Sequence, residues 1–185
     1  MTSGPIEIPL PDLHGRCHTS ATLEMVRRLA ADLDQKAELH RLVAAEGIEA
    51  DGTATRWEAH FDLPSRQTTL EAVVTFRWSE EDGAYGEGVA ALREVAFPPP
   101  GSELARMGAD GVLSRRRIRG VWRQQLRERR YLPPVIPPLE AALAAAGDDG
   151  PWRRAEAVVL RTEGPVWRLQ GRRRHRIRFD TLQGQ

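Results

Sequence analysis

Two stretches decide the fold: RWEAHFDL at residues 56–63 and LEAVVTFRW at residues 70–78. In the first, Trp57, Ala59, Phe61 and Leu63 alternate with Arg56, Glu58, His60 and Asp62. In the second, Leu70, Ala72, Val74, Phe76 and Trp78 alternate with Glu71, Val73, Thr75 and Arg77. A strict period of two puts one set of side chains on each face of an extended chain, so both runs read as half-buried antiparallel strands. Pro64 ends the first run. Glu80, Glu81, Asp82 and Gly83 form a hairpin turn after the second, and a third strand follows from Tyr85 to Phe97.

Upstream, Pro5 to Leu10 reads as a short strand limited by Pro11. Leu23, Val26, Leu29 or Ala30, Leu33, Ala37, His40 and Val43 then recur at steps of three and four residues. With Thr19 or Ser20 as cap and Gly47 as stop, this spacing predicts one amphipathic helix of about seven turns lying on the sheet. Downstream, Pro98, Pro99, Pro100 and Gly101 end the third strand and mark a boundary. Ser102 to Met107 predicts a helical turn, Ser114 to Arg130 a helix, and Pro138 to Ala146 a short helix closed by Gly147. A hairpin is expected from Ala157–Arg161 and Val166–Gln170, and a last strand from Arg172 to Phe179. The expected fold is therefore α+β: a long amphipathic helix packed on an antiparallel meander, followed by a basic helix and a small C-terminal antiparallel β element.

Charge divides at the same place. Residues 1–103 carry 9 Lys+Arg against 18 Asp+Glu, whereas residues 104–185 carry 18 against 8, a contrast concealed by the net charge of +1. The expected organisation is an acidic helix-on-sheet half over 1–97, a proline-rich boundary at 98–101 and a basic half over 102–185, the two able to pack as one domain. GC-rich codon usage accounts for 26 arginines beside the single Lys36, but not for their placement. At about 100° per residue, Arg116, Arg119, Arg123, Arg127 and Arg130 fall in one sector of about 80° on the 114–130 helix. Like charges at i and i+4 disfavour a helix by a few tenths of a kcal/mol per pair, so helix stability did not select the stripe. In the last strand Arg172, Arg174, Arg176 and Arg178 share one face, a ladder of roughly 20 Å.

Guanidinium forks in such arrays suit phosphate oxygens. The expected function is non-catalytic, low-specificity binding of nucleic acid, DNA or RNA, through these nine arginines. Gln124 and Gln125 alone accompany them as base-reading side chains. Two other readings compete. The acidic and basic halves could neutralise one another within a chain or between chains, making a self-assembling or partner-binding scaffold. Alternatively, the order of strand, helix and meander suits a ligand-holding curved sheet, with Trp57, Phe61, Phe76 and Trp78 lining a cavity instead of a core. The edge-protecting role of charge offers a plain explanation of the strand ladder.

Catalytic and metal signatures are weak. His14, Cys17 and His18 have metal-ligand spacing but no second ligand pair. Glu58, His60 and Asp62 share a strand face that a nuclease would use, without a supporting lysine. Nucleotide-binding glycine loops and the α/β-hydrolase elbow are absent from the sequence. No cofactor is expected. One cysteine, no leader-like start and no long apolar run lead to the expectation of a soluble cytoplasmic protein with no membrane partner.

Overall fold

The computed structural model describes residues 4–182. Its strands are β1 (Ile6–His14), β2 (Glu38–Glu46), β3 (Arg56–Leu63), β4 (Thr68–Ser79), β5 (Ala84–Ala96), β6 (Arg154–Leu160), β7 (Gly164–Gln170) and β8 (Arg174–Arg178). They form one antiparallel sheet in the order β1-β5-β4-β3-β2-β6-β7-β8. The helices are α1 (Thr19–Leu33), α2 (Glu103–Ala109), α3 (Arg115–Glu128), α4 (Leu139–Ala146) and α5 (Phe179–Leu182).

This corrects the expectation of a long helix on a meander: 40% of the structure is strand and 27% helix, so the sheet is the body of the molecule and the helices are short. The 19–47 segment divides after Leu33. Asp34, almost fully buried, draws the chain into a turn, its carboxylate accepting from the backbone N–H groups of Lys36 at 2.9 Å and Ser65 at 2.8 Å. Such side-chain-to-backbone bonds compete with helix continuation. The segment beyond becomes β2. Its register slips between Leu39 and Arg41, where a bulge inserts one residue opposite Phe61 and His60. The bulge spaces the core residues Leu39 and Leu42 three apart, the interval of a helix turn.

β2 is also the strand that joins the two charge halves, pairing with β3 on one side and β6 on the other. One sheet face forms the core: Trp57, Phe61, Leu63, Leu70 and Val74 meet Val26 and Ala30 of α1, while Trp167 and Leu169 meet α4 and α5. Each fully buried aliphatic or aromatic side chain contributes about 1.5–3 kcal/mol relative to exposure. The two indoles of this core are satisfied, Trp57 Nε1 donating to the Cys17 carbonyl at 3.1 Å and Trp167 Nε1 to the Pro137 carbonyl at 3.0 Å. Of the four aromatics considered for a cavity, Trp57, Phe61 and Phe76 lie in this core. Trp78 is exposed and meets Tyr85 edge-on with centroids 5.0 Å apart.

The opposite face carries the polar alternation. Across it Glu58 lies between Arg56 and Arg154, and Glu156 between Arg41 and Arg168. Glu156 is buried, which raises a carboxyl's pKa, yet bonds from Arg168 and Arg41 outweigh that and hold it below its ordinary value. Among the described residues no helix is long and apolar enough to cross a membrane.

Candidate nucleic-acid interface

The basic helix begins where Ser114 caps it, its hydroxyl accepting from the Arg117 N–H at 3.3 Å. α3 stands over the polar sheet face and is attached at three points. Trp122, 2% exposed, packs on Phe97 with ring centroids 5.0 Å apart. Ile118 closes against Gly108 of α2 so tightly that a Cβ there would sit 2.6 Å from its terminal methyl. At the C-terminal end, Arg129 Nη1 donates to Asp62 Oδ1 at 3.0 Å and to His40 Nε2 at 2.9 Å, while the Tyr131 hydroxyl donates to Asp62 Oδ2 at 3.0 Å.

This latch has a defined protonation state. Asp62 is completely buried, and burial raises its pKa against the opposing pull of Arg129 and Tyr131. Arginine only donates, so His40 accepts at Nε2 and carries its proton on Nδ1. Burial, with Arg129 beside it, pushes the His40 pKa down to about 3. Burial lowers His60 as well, and its Nε2 is enclosed without a hydrogen-bond partner, as is Trp122 Nε1. Both orphaned atoms belong to residues around the α3 footing, making it the less well satisfied part of the polar architecture. A hollow of about 350 Å³ remains there, lined by His40, His60, Glu71, Phe97, Gln125 and Arg129, among others.

On the far side of the helix, Arg116, Arg119, Arg123, Arg127 and Arg130 are all exposed, and none pairs with an acid among the described residues. The structure keeps these five on one helix and its immediate extension, since α3 ends at Glu128 and Arg130 follows in the extended segment. The strand array differs in detail. Arg174, Arg176 and Arg178 share the outer face of β8, but Arg172 precedes the strand, its N–H donating to the Asp149 carbonyl at 3.0 Å. Arg176 is engaged by Glu163 at 2.8 Å and Arg178 by Asp180. β8 is also a sheet edge, where charge discourages edge pairing.

The halves do not cancel each other at the stripe. Among the described residues, the ion pairs joining 1–103 to 104–185 are Arg41–Glu156, Arg154–Glu58 and Arg129–Asp62, and none involves a stripe arginine. Sequence reading passed over Arg129, which the helical angle places on the docking side, and Arg161, at the β6–β7 turn. Arg161 joins Arg127 and Arg130 around a second hollow of about 590 Å³. No periodic signal marks a lone hairpin arginine.

The other candidates separate. Cys17 is buried, which raises its thiol to about 11, and bridges Ala54 through its backbone, while His14 and His18 are exposed. Glu58 and Asp62 are both engaged by arginines, and among the described residues no group of three or more His, Cys, Asp or Glu side chains is arranged to hold a metal ion. Comparison with protein-family models, curated proteins and solved structures returns no match.

Proposed function

We propose that the protein binds nucleic acid without catalysis, using the outer stripe of α3 as its principal phosphate-contacting surface. One observation carries the reading: five exposed arginines without acid partners among the described residues, four on a helix whose other side is committed to docking and Arg130 just beyond its end. A helix of 14 residues is about 21 Å long, enough to follow several phosphates. The β8 arginines are secondary contributors because Glu163 and Asp180 already offset two of them.

The test is binding to single- and double-stranded DNA and RNA at about 0.05 M salt, where phosphate contacts contribute most. The stripe reversal Arg116→Glu/Arg123→Glu is compared with the ladder reversal Arg174→Glu/Arg176→Glu. The stripe reversal should abolish binding and the ladder reversal should weaken it by less. Equal affinity of wild type and stripe variant for every probe would refute the assignment.

A second reading rests on the acids left over. Glu80, Glu81 and Glu87 are exposed around the β4–β5 hairpin without arginine partners among the described residues. They lie at the opposite end of β4 from Phe97 and α3, a separation of roughly 40 Å for a 12-residue strand. This polarity suits head-to-tail association of copies. It predicts oligomers at low salt, without nucleic acid, that the stripe reversal dissolves.

A further inference from the structure

We infer that the second hollow, the one that Arg161 shares with Arg127 and Arg130, receives a phosphate monoester dianion, the terminal phosphate of a strand lying on the stripe; the inference rests on the nucleic-acid reading above. The hollow, about 590 Å³, lies between the end of α3 and the β6–β7 turn and is lined by Arg127, Arg130, Arg161 and Val159, with Glu128 and Arg129. Two of these are already committed: Arg129 to Asp62 and His40, and Glu128 to Gln124 Nε2 at 2.9 Å. Arg127, Arg130 and Arg161 have no acid partner among the described residues. Glu163, the acid nearest Arg161 in the turn, is directed to Arg176 instead. Three cations without an ion-pair partner among the described residues, from two segments distant in sequence, are thus brought to the rim of one concavity.

Glu128 on the same lining keeps its charge, since the Gln124 amide that it accepts from is neutral, and it offsets one of the three cations. The remaining excess of positive charge favours an occupant with concentrated negative charge. An internal phosphodiester carries one charge and must enter and leave with chain on both sides. A terminal monoester carries nearly two charges at neutral pH and three strong acceptor oxygens, and it has chain on one side only. Guanidinium groups approaching from α3 and from the hairpin can therefore surround it. Free nucleoside monophosphates present the same chemistry, so the experiment separates the two sources.

Affinity is measured by fluorescence anisotropy for single strands of about 20 nucleotides, labelled at one end and carrying either a hydroxyl or a phosphate at the other, with both polarities tested. Wild type should prefer a phosphorylated end about tenfold. Arg161→Ala should erase that preference while changing affinity for the hydroxyl end less than about twofold, because the stripe is intact. Equal affinity for both ends, with stripe-dependent binding preserved, would overturn the inference and leave the nucleic-acid reading standing. Failure to bind either oligonucleotide would overturn both. If adenosine monophosphate binds through Arg161 but the phosphorylated strand gains nothing, the strand end is refuted as occupant.

Discussion

Replacing Arg123 and Arg127 together by alanine would remove two of the proposed phosphate contacts without introducing new repulsion, and counterion release sets how the loss should depend on salt. Both side chains are exposed and lack acid partners among the described residues, so each is available to one phosphate. Counterion release makes each duplex contact worth about 0.9 in the slope of log K against log salt. The variant should therefore bind duplex DNA about 200-fold more weakly than wild type at about 0.05 M salt, about 20-fold more weakly at about 0.2 M, and almost equally near 1 M. Folding should not suffer. Arg119, Arg123 and Arg127 repel at successive i, i+4 spacings, so the variant should be as stable as wild type or more stable by a few tenths of a kcal/mol. The assay is anisotropy titration across salt, with urea unfolding as control. A penalty that stays constant with salt would show that these arginines act other than through phosphates.

The latch beneath the helix yields two further expectations. Arg129→Met leaves the fully buried Asp62 carboxylate with Tyr131 alone and should destabilise by about 3 kcal/mol, most of it recovered by adding Asp62→Asn; urea midpoints of the two variants check this. His40 titrates at about 3 in the fold against an ordinary 6.5, so the unfolded chain takes up its proton first and stability falls as pH drops below 6.5. Each unit between about 6.5 and 5 should cost up to about 1.4 kcal/mol from this residue, and His40→Gln should flatten that segment of the urea-midpoint profile.

What the sequence made legible follows from how local each signal was. β3 was read to its exact ends, since Trp57, Phe61 and Leu63 alternate with polar side chains on the other face, and α3 to within one residue at its start, since Ser114 caps it. β2 was lost. A central strand buried partly on both faces reads as a plain apolar run, and the bulge at His40 gave it the spacing of a helix. The stripe was visible because helical angle alone assembles it. Arg172 was misplaced with the β8 ladder because the turn held by Asp149 delays the strand by two residues. Arg161 and the Arg129 latch depend on elements distant in sequence and leave no period to read.

If the α3 stripe engages a phosphate backbone, its arginines displace counterions on binding. The most direct test of that engagement is the affinity of the unmodified protein for a duplex measured across salt. Five phosphate contacts predict a line of log K against log salt with a slope near −4.5, steepened slightly by any contact from β8. No binding at about 0.05 M salt, or binding with a slope near zero, would contradict it.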